Sequence, residues 1–306
     1  MRIFVTGASG WIGSAAVPEL LAAGHEVAGL ARSDTSADAL LAAGARVHRG
    51  SLDDLDSLRS GAEEADGVLH LAFKHDFDAY ASSGLAERAA VETMLGALEG
   101  TDKPFLFASG LALLAAGRIA TERDASPFSG PESPRGGAEQ LALSAADRGV
   151  RPVALRFAPT VHGAGDHGFT AVLADIARRT GVAGYVGDGS NRWPAVHRSD
   201  AGRLIALAMD EALAGAPALP VVHAVAEEGL PTRAIAAALG EALGVPTASI
   251  PAEEAADHFG WLGAFFSADI PASSALTRER LGWTPSGPTL FEDIAAGAYS
   301  AAPVSR

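Results

Sequence analysis

Residues Arg2-Ile3-Phe4-Val5-Thr6-Gly7-Ala8-Ser9-Gly10-Trp11-Ile12-Gly13 carry the reading on which the fold turns. The apolar run over 2–6 has the length and composition of a buried strand, and the stretch over 11–23 follows it with helical spacing. Glycines at 7, 10 and 13 join the two. Gly7 permits a tight turn, Gly10 lets backbone amides approach a pyrophosphate, and Gly13 lets the helix lie close to the strand. A Gly-x-x-Gly-x-x-Gly run is weak by itself. Placed after a strand and at the start of a helix, it predicts a phosphate-binding turn in which Thr6, Gly7, Gly10, Trp11, Ile12 and Gly13 meet a dinucleotide.

Outward from this turn the pattern repeats. Strands are expected over 25–30, 46–49, 67–72, 104–108 and 152–157, with helices over 52–62, 87–98 and 138–148 between them. Gly24 supplies a helix stop, and Pro18 is expected to kink the first helix because it cannot bond to the Ser14 carbonyl. The alternation defines an α/β chain with a Rossmann-type doubly wound parallel sheet. After residue 159 the character changes to glycine-rich loops (Gly163, Gly165, Gly168, Gly184, Gly187, Gly189) between short elements. The expected organisation is a nucleotide-binding domain over 1–160, also receiving segments around 195–225, and a smaller substrate lobe mainly over 161–306. Residues 111–134 have no clean period and are read as an irregular excursion over the carboxyl edge of the sheet.

Composition narrows the function. The chain has 306 residues, 23 Lys+Arg against 37 Asp+Glu, a net charge of −14, and no cysteine. Such a charge repels nucleic acid and anionic lipid, so neither is an expected partner. The absence of cysteine removes disulfide and thiolate chemistry. With no leader-like segment or long apolar run, a cytoplasmic location is expected.

The end of the second strand selects the cofactor. Where an NAD-selective site carries an acid, this chain reads Gly29-Leu30-Ala31-Arg32-Ser33, which places a guanidinium where an adenosine 2′-phosphate would lie. NADP is therefore preferred, with NAD possible because Asp34 is close by. Ser51 and Leu52 are expected at the adenine edge, and Leu71 and Ala72 at the ribose.

Together with Thr6 to Gly13, the segments His70-Leu71-Ala72, Glu139-Gln140, Arg156 to Gly163, Gly187 to Arg192, Val196-His197-Arg198-Ser199-Asp200 and Leu281 to Pro285 give a chain that resembles the extended, epimerase/dehydratase-like branch of the short-chain dehydrogenase/reductase superfamily. That resemblance implies a Tyr-x-x-x-Lys pair and a nearby Ser or Thr. Anchored on Glu139-Gln140, the tyrosine position falls on Pro131 and the lysine position on Arg135. The serine position falls on Gly110, next to Ser109. The chain thus looks like an atypical member that lacks the standard catalytic pair.

Ser109, Arg135 and His162 are the catalytic candidates. Arg135 also keeps a positive charge by the nicotinamide ribose and could stabilise an alkoxide, and His162 is a candidate proton donor near neutral pH. Lys74, His75, Tyr185, Arg192 and Trp193 are expected on the substrate side, with Arg192 in the position of a diphosphate clamp. His162, Asp166 and His167 lack the spacing of a metal site, so no metal is expected. The leading expectation is an NADP-dependent oxidoreductase acting on a small carbonyl or conjugated substrate through a non-standard proton donor. The alternatives are a nucleotide-sugar epimerase or dehydratase, and a catalytically inactive NADP(H)-binding sensor. The resemblance also implies a possible homodimer through the helices near 87–98 and 138–148.

Overall fold

The computed structural model describes residues 1–74, 80–115, 117–215 and 219–300. Its strands are β1 (Arg2–Thr6), β2 (Glu26–Ala31), β3 (Arg46–Arg49), β4 (Gly67–His70), β5 (Pro104–Gly110), β6 (Arg151–Phe157), β7 (Thr160–His162), β8 (Ala183–Val186), β9 (Arg192–His197), β10 (Val221–Ala224), β11 (Glu227–Pro231) and β12 (Thr247–Ile250). The α-helices are α1 (Gly13–Ala22), α2 (Asp34–Ala42), α3 (Leu55–Glu64), α4 (Tyr80–Leu98), α5 (Ala138–Leu143), α6 (Phe169–Thr180), α7 (Arg198–Leu213), α8 (Thr232–Leu243), α9 (Ala255–Phe259), α10 (Leu262–Phe266), α11 (Ala275–Leu281) and α12 (Leu290–Ala295).

Seven strands form one sheet in the order β3-β2-β1-β4-β5-β6-β10, and every neighbouring pair is parallel. Side chains alternate between its faces. Ile3, Val5, Leu69, Leu106 and Leu155 pack with Ala16, Val17 and Leu20 of α1 and with Leu204 and Ile205 of α7. Phe4, Val68, Phe105 and Phe107 pack with Leu58 and Ala62 of α3 and with Val91, Met94 and Leu95 of α4. Burial on both faces explains why these strands read as unbroken apolar runs. Strand order reverses at β1, which pairs with both β2 and β4, so the ligand crevice of such a sheet lies beyond their carboxyl ends.

Two short sheets, β11-β9-β7 and β12-β8, accompany a separate apolar cluster around Trp193, Phe259 and Phe266. The chain returns to the large sheet through α7 and β10. The Asp200 carboxylate accepts hydrogen bonds from the Ser286 and Gly287 amides at 2.9 Å each, and the Trp283 indole donates to the Asp200 carbonyl.

Three local expectations change. α1 continues through Pro18, whose exposed position leaves the side of the missing hydrogen bond to water. α4 begins at Tyr80 rather than near 87. The helix expected over 138–148 is α-helical only to Leu143 and continues as a 3-10 turn over Ser144–Arg148.

Candidate functional site

The glycine turn is built to backbone tolerance. Gly7 sits at φ +70°, and a Cβ there would lie 2.7 Å from the Ala72 nitrogen at the end of β4. At Gly13 a Cβ would lie 2.1 Å from the Gly7 carbonyl oxygen. The Gly10 amide closes the turn on the Gly7 carbonyl at 2.9 Å, and the Ser14 amide on Gly10 at 2.9 Å. Among the described residues no acceptor takes the amide hydrogens of Trp11, Ile12 or Gly13, and the first turn of α1 holds no acid. Open amides at a helix N-terminus form an anion cradle. Thr6 braces it from behind: its Oγ1 lies 2.7 Å from His70 Nδ1 and accepts from the Ala72 amide at 3.3 Å. Leu71 and Ala72 are thus held against the turn.

At the end of β2, Arg32 is exposed and has no carboxylate partner among the described residues. Asp34 is turned away, accepting from Arg49 Nη2 at 2.7 Å. Ser33 caps α2 in a reciprocal box with Ser36. Ser51 and Leu52 lie in the loop after β3, where Asp53 pairs with Lys74 at 2.5 Å. The Lys74 ammonium is therefore tied to the loop expected at the adenine edge.

The catalytic end departs further from expectation. Ser109 donates to Glu139 Oε2 at 2.5 Å, and Glu139 is in turn gripped by the buried Arg156 guanidinium. Arg156 also donates to the Asp124 carbonyl and faces His223 Nε2. Nδ1 of His223 donates to the Ser273 carbonyl, and burial holds its pKa down at about 4. The one hydroxyl proton of Ser109 is thus committed to a carboxylate and is not free for a substrate.

Arg135 lies outside any regular α-helix. Arg135, Gly136 and Gly137 have φ of 55°, 58° and 62°, a left-handed turn that delays α5 until Ala138. The turn fits because Gly84 of α4 lies beneath it; a Cβ on Gly136 would meet the Gly84 carbonyl oxygen at 2.5 Å. The Arg135 guanidinium makes a two-pronged pair with Glu87 of α4 and lies 4.7 Å from the Phe73 ring centre. Burial raises the Glu87 pKa, and Arg135 works against that rise. Burial first, then the Arg135 charge, holds the His70 pKa down at about 3. The positive charge expected near the crevice is therefore present, but it is held by an acid.

His162 has no exposed surface, and its Nδ1 lies 2.6 Å from Asp293 of α12. Its ring packs edge-on against His197, and burial lowers its pKa. It joins β7 to α12 and has no access for a substrate, a correction to its reading as proton donor. Trp193 is 1% exposed among Phe169, Phe265 and Phe266, so it belongs to the small-lobe core rather than to a substrate wall. Asp269 takes the Nε and Nη2 edge of the Arg192 guanidinium through contacts of 3.0 and 2.9 Å, so that edge is closed to a diphosphate. Tyr185 is half-buried on β8, and His75 lies outside the described residues. Among the described residues, no cluster of three or more His, Asp or Glu could hold a metal ion.

Sequence reasoning passed over two residues. Glu87, 48 residues from Arg135, gives no local signal. Arg198, at the start of α7, lies with its guanidinium 4.2 Å from the Trp11 ring centre and donates to Ser14 Oγ at 2.8 Å. The Trp11 indole donates to the Val161 carbonyl at 2.7 Å, and His167 packs on its edge.

The strand order and the glycine turn at its reversal define a doubly wound fold of the short-chain dehydrogenase/reductase type. The chain belongs to the NAD dependent epimerase/dehydratase family, whose profile matches residues 3–220. An uncharacterized protein of Schizosaccharomyces pombe is 47% identical over 300 residues, covering 98% of this chain and 100% of the relative. A 4-hydroxy-2-methyl-3-oxo-4-farnesyl-3,4-dihydroquinoline-1-oxide ketoreductase of Stigmatella aurantiaca is 34% identical over 188 residues, covering 58% of this chain and 55% of that enzyme. Among solved structures, MoeE5 in complex with UDP-glucuronic acid and NAD superposes with a TM-score of 0.68 at 25% identity, covering 97% of this chain and 98% of that one. No helix among the described residues is long and apolar enough to cross a membrane.

Proposed function

We propose that the chain binds NADP(H) in preference to NAD(H) and moves a hydride between it and a small carbonyl or conjugated substrate. The observation that carries the cofactor preference is the pair of side chains at the end of β2: Arg32 lacks an acid partner among the described residues, while Asp34 is engaged by Arg49. An acid free at that position would repel a 2′-phosphate; a free guanidinium attracts it. The Trp11, Ile12 and Gly13 amides would hold the pyrophosphate, and Leu71 and Ala72 would border the ribose. A dinucleotide bound there supplies the hydride donor or acceptor.

The chain's own part is orientation and charge. Arg135, fixed by Glu87, offers positive potential to a developing oxyanion and remains protonated throughout. Ser109 and His162 are both engaged, and Pro131 has no proton to give, so protonation falls to water or to another side chain such as His167 or Tyr185. The ketoreductase relative favours a carbonyl substrate. The Asp269 carboxylate beside Arg192 takes one edge of that guanidinium and offsets its charge, which weakens the diphosphate-clamp reading suggested by the UDP-glucuronic acid in the MoeE5 structure. A two-fold dimer through α4 and α5 belongs to the same reading, supported by exposed Leu85 and half-exposed Leu141 and Leu143.

The engaged hydroxyl and imidazole favour a second reading, a protein that binds NADP(H) without turnover. One experiment separates the possibilities: titration of wild type and Arg32→Ala with NADPH and NADH by nicotinamide fluorescence, followed by NADPH oxidation across a panel of ketones and enones. The proposal expects tight NADPH binding that falls toward the NADH level in Arg32→Ala, and turnover with at least one carbonyl. Binding without turnover leaves the sensor. No binding of either nucleotide removes both.

A further inference from the structure

A chain with net charge −14 needs local positive potential to hold a polyanionic dinucleotide. Many of its arginines are spent on carboxylates: Arg49 on Asp34, Arg135 on Glu87, Arg156 on Glu139, Arg192 on Asp269 and Arg203 on Asp200. Arg198 is different. It is half-buried, burial alone perturbs its pKa, and it has no acid partner among the described residues. Its two contacts are both with the phosphate-binding turn: the Trp11 ring and the Ser14 hydroxyl in the first turn of α1. Its stem is wedged under the next strand end, where a Cβ on Gly163 would come within 3.1 Å of Arg198 Cδ. A half-buried cation whose partners are a ring face and a hydroxyl has its desolvation only partly offset, and an approaching anion stabilises it further.

We infer that Arg198 is a second cofactor-binding cation, which lends positive potential to the amide cradle of Trp11, Ile12 and Gly13 and so strengthens the hold on the pyrophosphate. It complements Arg32, which serves the adenosine end. This rests on the dinucleotide reading above, and the two arginines divide the anion between them.

Two fragments of the cofactor test the division without any turnover. ADP-ribose carries the pyrophosphate but no 2′-phosphate; adenosine 2′-monophosphate carries the reverse. Their dissociation constants and that of NADPH are measured on wild type, Arg198→Met, Arg198→Lys and Arg32→Ala. Met keeps an unbranched stem under Gly163, and Lys keeps the charge.

The expected result for Arg198→Met is weakening of ADP-ribose and NADPH by about tenfold, the scale of one charge-assisted contact, with adenosine 2′-monophosphate unchanged within about twofold. Arg198→Lys recovers most of the loss, and Arg32→Ala shows the opposite fragment pattern. The inference is overturned if Arg198→Met binds ADP-ribose like wild type. It is equally overturned if Lys loses as much as Met, because the effect then comes from packing on Trp11 rather than charge. If wild type binds neither fragment nor NADPH, the dinucleotide reading itself fails, a result distinct from both. Should Arg198→Met not fold, Arg198→Gln replaces it: ADP-ribose binding weakened about tenfold supports the inference, and wild-type binding overturns it.

Discussion

Residues 6–13, which follow β1, and residues 131–137, which pack on α4, differ in what holds them. The first is a backbone device. Its glycines are required by contacts of 2.7 Å at Gly7 and 2.1 Å at Gly13, and its working groups are main-chain amides. The second stands where the family's catalytic hydroxyl and lysine are expected, and it has become a left-handed Arg135-Gly136-Gly137 turn clamped to α4. One region thus rests on main-chain groups and the other on side-chain pairs. A cradle made of amides survives changes that a side-chain mechanism does not.

The largest expected effect breaks the first region. Gly13→Ala forces a Cβ against the Gly7 carbonyl and should weaken NADPH binding by about a hundredfold or more, with destabilisation of about 2–4 kcal/mol from backbone overpacking. Calorimetric titration beside urea unfolding reads both, and near-wild-type binding would refute the geometry given for the turn.

The second effect tests the clamp in the other region. Arg135→Ala strands the buried Glu87 carboxylate and should cost about 2–3 kcal/mol, less than a fully buried pair because Arg135 is partly exposed. Adding Glu87→Leu should restore most of that stability, and NADPH affinity should change far less than in Gly13→Ala. A double-mutant cycle in urea measures the coupling; additive losses would mean that the pair does not hold the turn.

A third effect is carried by pH at the brace behind the cradle. His70 has its pKa lowered from 6.5 to about 3 by burial and by Arg135. The unfolded state then binds a proton that the folded state refuses, so this contribution to stability is full above pH 6.5 and is lost as pH falls toward 3. Within that window one such group gives a slope of about 1.4 kcal/mol per pH unit. His70→Asn, whose side-chain oxygen can still meet Thr6, should flatten the stability curve between about pH 4 and 6 by roughly one proton's worth. An unchanged slope would mean that His70 titrates normally.

The smallest effect is Asp34→Ala. The Asp34–Arg49 pair is exposed, so stability should move by less than about 0.5 kcal/mol. Freed from Asp34, Arg49 joins Arg32 as an open cation, and the preference for NADPH over NADH should rise. A fall in that preference would show that Asp34 itself takes part in nucleotide binding.

Most of the sheet was legible because its strands are buried on both faces and its glycines sit at positions of steric necessity; both leave marks in local sequence. The glycine turn between β1 and α1 was legible for the same reason. The other assignments depended on partners far along the chain. His162 reads as an available imidazole until Asp293, 131 residues away, is placed at 2.6 Å. Trp193 and Arg192 read as substrate contacts until the aromatic cluster and Asp269 surround them. Ser109 reads as a free hydroxyl until its proton is directed at Glu139. In each case the residue type was visible and its occupation was not.

The last strand of the large sheet, β10, pairs with β6 only after β7, β8, β9 and α7 have intervened. Its placement has a consequence for synthesis of the chain. A nascent polypeptide that has emerged as far as β6 presents an unpaired edge, and α1 still lacks α7, whose Gly202 packs against the Ala15 carbonyl. Unpaired edges and incomplete helical cover are the features that make partly made proteins sticky. The nucleotide-binding sheet therefore cannot be closed until about three-quarters of the chain has left the ribosome, and a fragment ending near residue 160 would begin its life with that edge permanently open.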